Sequence, residues 1–198
     1  YVPGATLAEH LVQRGRCAPH DAVALMVAVL DGLQAAHAAG IVHRDLKPSN
    51  VMVDAQRHAR VMDFGMAAAV ASASDAQLAS GTPAYMAPEA TAGAAPAPSM
   101  DIYSAALVLV ELLTGRPLIH QSDTWQALYR IANEVLELPE DLGPGVDDAL
   151  RAILLRALAR EPSARFVSAD DFRDALRAWA APASAPTAQS NATLDFLL

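Results

Sequence analysis

At 198 residues, 53% hydrophobic and 18% charged, the chain is long enough to bury one core and too apolar to be disordered throughout. A formal net charge of -8, with only 14 lysines and arginines and no stripe among them, argues against nucleic acid or an anionic membrane surface as partner. Cys17 is the only cysteine, so neither an internal disulfide nor a cysteine metal cluster can form, and a reducing, cytoplasmic setting is expected.

The chain opens on Tyr1 with no basic then apolar leader, and is read as a piece of a longer protein. Thr6 followed by Glu9 has the capping-box pattern, in which hydroxyl and carboxylate each satisfy a backbone donor of the other, and predicts a short helix from after Gly4 to about Arg14. Pro19 then stands at a helix start, Leu25, Met26, Val29, Leu30 and Leu33 recur at spacings of three and four, and Gly40 ends the run, which predicts a long core-facing helix. The apolar stretches Ala22 to Leu30 and Ala105 to Val110 stop at Asp31 and Glu111, short of the roughly 20 residues that span a bilayer, so no membrane segment is expected.

Two short apolar runs, Val51 to Val53 and Arg60 to Met62, with Asp54 to Arg57 between them, predict a small hairpin. Gly65 to Ser80 is small and unpatterned and reads as a loop, with Pro83, Pro88, Pro96 and Pro98 extending the irregularity. Helical periodicity returns over Asp101 to Thr114, which ends at Gly115, and over Ser122 to Val135, Val146 to Arg160 and Ala169 to Trp179. The last has Ser168 and Asp171 as a cap and sets Phe172, Leu176 and Trp179 on one face. The expected fold is therefore mainly α with a small β-hairpin. Residues 1–180 form the ordered unit, 181–193 an Ala/Pro/Ser-rich linker, and 194–198 (LDFLL) either a fraying tail or the start of a further element.

The segment His43-Arg44-Asp45-Leu46-Lys47-Pro48-Ser49-Asn50 lies between the long helix and the hairpin, and Asp63-Phe64-Gly65 closes the hairpin. In this order they resemble the catalytic loop and the metal-binding DFG motif of protein kinases, here of the bacterial serine/threonine type. Gly81 to Glu89 (GTPAYMAPE) is similar to the family's substrate-docking loop with its APE end. Phosphoryl transfer asks a protein to hold an acceptor hydroxyl in line with the γ-phosphate and to neutralise the charge on its oxygens.

The resemblance implies these roles. Asp45 accepts the substrate hydroxyl and its proton, Lys47 reaches the γ-phosphate, and Asn50 and Asp63 are the Mg²⁺ ligands. Lys47 also marks the serine/threonine class. Tyr1 and Val2 fall where the hinge strand meets the adenine of ATP, and Met52 is the floor beneath it. His43 packs under the loop against Phe64. Thr82 orients Asp45 and Lys47, Glu89 pairs with Arg165 in the REPSAR loop, and Asp101 binds backbone amides of the catalytic loop beneath Arg44. Arg44 calls for a phosphorylated partner in the loop ahead of Thr82, with Ser72 and Ser74 as candidates and Ser80 behind them.

The family's Gly-rich strands, strand lysine and helix glutamate precede this point and are not in the sequence. The resemblance thus implies the C-terminal lobe of a kinase whose N-lobe is absent from this chain. The expected function is transfer of phosphate from ATP to Ser/Thr of protein substrates, with the piece alone inactive. The alternative is a pseudokinase-like scaffold lobe, which the intact Asp45, Lys47, Asn50 and Asp63 disfavour.

Overall fold

The structure is a computed structural model and describes residues 4–64, 83–120 and 123–182. Tyr1, Val2, Gly65, Ser72, Ser74, Ser80, Thr82, most of the expected linker and residues 194–198 lie outside the described residues.

The chain begins with a two-residue strand β1 (Ala5–Thr6) that runs directly into α1 (Leu7–Arg14). Thr6 and Glu9 make both halves of the capping box: the Glu9 amide donates to Thr6 Oγ1 at 3.1 Å and the Thr6 amide to Glu9 Oε2 at 2.7 Å. Pro19 occupies the first turn of α2 (Pro19–Ala38), where its missing N–H costs no hydrogen bond. The chain leaves that helix through Gly40 at φ 75°, a left-handed turn that a side chain would strain.

A 3-10 turn at Pro48–Asn50 leads into β2 (Val51–Val53), which pairs antiparallel with β3 (Ala59–Val61). The second strand sits one residue earlier than Arg60 to Met62, because the register opposes Val53 to Ala59 and Val51 to Val61, while the Met62 amide turns to the Asn50 carbonyl at 2.8 Å. The sheet is also larger than a hairpin. β1 adds to the outer edge of β2 to give the order β1-β2-β3. Two residues cannot display alternation, so this strand has no signature in the sequence.

Of the four prolines expected to extend the loop, Pro96 lies in irregular backbone as expected, while Pro83, Pro88 and Pro98 start elements instead. Pro83 opens a 3-10 turn (Pro83–Tyr85), Pro88 opens α3 (Pro88–Thr91), and Pro98 opens α4 (Pro98–Thr114), three residues before the expected start at Asp101. Each provides the fixed φ of a first helical position. Gly115, at φ 77°, closes α4 in the left-handed conformation. The remaining helices are α5 (Thr124–Asn133), α6 (Asp148–Ala157) and α7 (Ala169–Ala180), each shorter or longer by a few residues than its periodicity suggests because the caps fall at Asp123, Asp147 and Ser168.

The core centres on α2 and α4. Val23, Met26, Val29, Leu30 and Leu33 of α2 are buried, as is α4 all the way round from Met100 to Val110. A helix apolar on every side is one that neighbours enclose. Of the described helices, α2 alone is long and apolar enough to cross a membrane, but it packs against α4, α7 and β3, as the core helix of a compact domain does.

Candidate active site

The loop between α2 and β2 carries the candidate catalytic residues, and the buried N-terminal turn of α4 fixes its shape. Asp101 is fully buried and its carboxylate is fully engaged. Oδ2 accepts from the His43 amide at 2.8 Å and meets His37 Nε2 at 2.7 Å, and Oδ1 accepts from the Arg44 amide at 2.9 Å. A buried carboxylate is tolerable only when satisfied in this way. The two backbone bonds hold Arg44 at φ 69°, a left-handed conformation costing a non-glycine residue about 1 to 3 kcal/mol. Asp63 is likewise left-handed, at φ 60°. Of the three positive-φ non-glycine residues among those described, one thus adjoins Asp45 and another is Asp63 itself.

His43 joins the two motifs. Its Nδ1 accepts from the Asp45 amide at 3.2 Å and its Nε2 faces the Met62 carbonyl at 2.8 Å, a pattern that puts the proton on Nε2. Its ring meets Phe64 edge-on at 4.9 Å between centroids. The residue leading to Asp63 is therefore tied to the residue leading to Asp45.

Asp45, Lys47 and Asn50 converge. Lys47 Nζ lies 2.8 Å from Asp45 Oδ2, and Asn50 Nδ2 donates to the same oxygen at 3.1 Å and to the Asp45 carbonyl at 2.8 Å. Both partners hold one carboxylate oxygen. Oδ1 takes no hydrogen bond among the described residues, and the Asp45 side chain is 37% exposed. The Asn50 amide nitrogen is consumed by Asp45, which leaves its Oδ1 as a neutral oxygen ligand. Asp63, an exposed carboxylate, follows Met62, whose amide binds the Asn50 carbonyl. Among the described residues no three His, Cys, Asp or Glu side chains gather into a metal cage. Mg²⁺ needs none, because it binds through one or two carboxylates and substrate phosphates, so Asp63 with Asn50 is a donor set that fits it. Met52 lies on β2, half-buried, opposite Thr6 and Arg60.

The segment after residue 82 is held in place from below. Arg165, with a fully buried side chain, donates from Nη1 and Nη2 to the two oxygens of Glu89 at 2.7 Å each. Its remaining donors go to the carbonyls of Ala159, Ser99 and Arg160 at 2.7, 2.9 and 2.9 Å, so all five N–H groups are used. The guanidinium also lies 4.7 Å from the centre of the Tyr103 ring. Burial pushes the Tyr103 hydroxyl up to about 12, with Arg165 pulling the other way.

Three positioning contacts were invisible in sequence. His37, in the last turn of α2, reads there as a basic residue favoured by the helix dipole. Its only distinguishing mark is that it lies just ahead of the His43 segment. Ser104 Oγ donates to the Tyr85 carbonyl at 2.7 Å, and Tyr85 Oη donates to Glu111 Oε2, so one face of α4 holds the Pro83–Tyr85 turn. Burial raises both the Tyr85 and the Glu111 pKa, and the Tyr85 hydrogen bond partly offsets the rise at Glu111.

The model of the protein kinase domain matches residues 1–175. The serine/threonine-protein kinase PknE of Mycobacterium tuberculosis is 36% identical over 198 residues, covering 99% of this chain and 34% of its own length. The serine/threonine-protein kinase PknB of Mycobacterium leprae is 35% identical, covering 100% and 33%. The probable serine/threonine-protein kinase PknB of Bifidobacterium longum is 34% identical, covering 87% and 26%. The chain thus spans between 26% and 34% of the length of these relatives. With the loop geometry and the matched span in agreement, the chain belongs to the protein kinase domain family and is related to bacterial serine/threonine kinases.

Proposed function

We propose that the chain takes part in transferring the γ-phosphate of ATP to serine or threonine hydroxyls of protein substrates. In this reading residues 1–180 are the C-terminal lobe, starting at the hinge, 181–193 are a linker, and 194–198 are either a fraying tail or the start of a further element. The observation that carries it is the shared grip of Lys47 and Asn50 on one oxygen of Asp45, with no described residue bonded to the other.

Asp45 Oδ1 takes the hydrogen bond and then the proton of the substrate hydroxyl. Lys47 stands beside it as a point charge for the γ-phosphate oxygens. Asn50 and Asp63 would hold Mg²⁺, which when bound neutralises charge on the phosphate oxygens. Tyr1 and Val2 would meet the adenine edge, Met52 its face, and Thr82 would orient Asp45 and Lys47. Glu89 and Arg165 support the substrate platform, and Asp101 supports the loop. Phosphorylation of Ser72 or Ser74 would bring negative charge to Arg44.

Half of a nucleotide clamp grips weakly, so the chain by itself is expected to be inactive. The test compares phosphate transfer from ATP to a generic Ser/Thr protein by the 198-residue chain and by a complete kinase domain containing it. Turnover only in the complete domain is expected. Robust turnover by the chain alone would overturn the requirement for a second lobe. None in either would favour a scaffold lobe.

A further inference from the structure

Residues of α1, β1, α2 and the β2–β3 hairpin line an open groove of about 760 Å³ that includes none of Asp45, Lys47, Asn50 or Asp63. Its lining joins two kinds of surface. The buried Leu25 and half-buried Val53 give it an apolar base, and His10, Arg14, Arg57 and Arg60 give it a basic rim, with all three arginines exposed. The wall formed by β1 is close-fitting: a Cβ on Gly4 would stand 2.3 Å from the Val53 carbonyl oxygen, so only glycine lets the two strands meet there.

The rim charge is not neutralised locally. Asp54 is the one acidic residue in the described lining, and its carboxylate is spent on the turn. Oδ1 accepts from the Gln56 and His58 amides at 3.0 and 2.9 Å, and Oδ2 lies 3.3 Å from His58 Nδ1. Arg57 reaches Asp21 at 3.1 Å, but with side chains 57% and 49% exposed such a pair is weak and exchangeable. Arg14 and Arg60 make no ion pair among the described residues. His10 registers the same field: burial, then Arg14 and Arg57, draw its pKa below 6.5 against the opposing pull of Asp21.

A gathering of arginines around an apolar base is not what the composition of a chain of charge -8 provides by default. It selects an occupant that is negative and carries apolar side chains. A nucleic acid offers the charge, but its long polyanion would extend past the groove along a chain whose net charge is -8. A carboxylate-rich peptide offers both features over a short length, and guanidinium forks match carboxylates two bonds at a time.

We propose that this groove is a docking site for an acidic peptide segment of a partner protein, its carboxylates on Arg14, Arg57 and Arg60 and an apolar side chain over Leu25 and Val53. The site is separate from Asp45 and its neighbours, and its occupancy does not depend on phosphate transfer.

The test is fluorescence anisotropy of a short fluorescein-labelled peptide of repeating Glu-Glu-Leu, titrated with the 198-residue chain. Saturable binding is expected. It should weaken about tenfold or more in the Arg14→Glu/Arg60→Glu double variant, and fall as sodium chloride is raised, as rim charge pairs require. A repeating Lys-Lys-Leu peptide should bind the double variant better than the parent chain. The single variants Arg14→Gln and Arg60→Gln, measured alongside with circular dichroism as the check on folding, should each lose part of the affinity. Absence of saturable binding, equal binding by parent and charge-altered chains, or displacement of the peptide by equimolar inorganic phosphate would each overturn the proposal.

Discussion

Arg165 and Glu89 lie 76 positions apart in sequence and meet through two parallel hydrogen bonds of 2.7 Å. The pair joins the loop before α7 to α3, and so ties the Pro83–Thr91 region to the C-terminal helices. A buried ion pair is not in itself strong evidence for stability, but removing one member leaves the other unpaired away from water.

Arg165→Ala should therefore cost about 3 to 5 kcal/mol in urea unfolding. Arg165→Lys should recover little of it, because an ammonium cannot reproduce five donors in a planar fork. A loss below about 1 kcal/mol for Arg165→Ala would place the pair among surface bridges.

Asp101 acts on the catalytic loop through backbone amides, so its loss should be read at those amides. In Asp101→Asn the side chain keeps one acceptor where two oxygens now take the His43 and Arg44 N–H groups and face His37. Hydrogen exchange at the His43 and Arg44 amides should accelerate by at least about tenfold, the equivalent of losing one net hydrogen bond. His37→Ala should accelerate them less, since it removes a neighbour of Oδ2 and not the acceptor itself. Unchanged exchange in Asp101→Asn would mean that the loop holds its left-handed turn unaided.

How much of this was readable before the structure depends on how local the cause is. α1 and α7 were legible because their capping boxes lie within four residues. The Pro83, Pro88 and Pro98 starts were misread because a proline that breaks a helix and one that begins it look alike until the following residues are seen to pack. β1 escaped because its strand character exists only in its pairing with β2. In the site, Asp45, Lys47, Asn50 and Asp63 stood out through motif order. The approach of Glu89 to Arg165 and of Asp101 to the loop amides followed from the resemblance alone, and no spacing argument links residues that far apart. Glu111 had no marker and His37 only its place just ahead of the His43 segment, since each sits on a helix whose periodicity already accounts for it.

Glu111 gives the fold a pH dependence of known sign. Burial raises its pKa above 4.5, so the folded chain holds this proton more tightly than the unfolded chain does. Its contribution to stability is fully present below 4.5 and is lost as pH rises through the raised folded value. Glu111→Gln keeps an oxygen for the Tyr85 hydroxyl and removes the titration. The variant should thus be more stable than the parent chain at pH 7, and the difference should shrink as pH falls toward 4. Thermal melts across that range would show it, and a difference that grows on acidification would reverse the assignment.

In the proposed transfer, Asp45 is the group that accepts the substrate hydroxyl proton. The direct measurement is kcat/KM for phosphate transfer from ATP to a Ser/Thr protein by a complete kinase domain containing this chain, with Asp45 or with Asp45→Asn. Asparagine retains the shape of the side chain and an oxygen for Lys47, but cannot take the proton. A fall of about 10² to 10⁴-fold with folding intact is the predicted result. Transfer by the Asp45→Asn domain at the parent rate would contradict the claim.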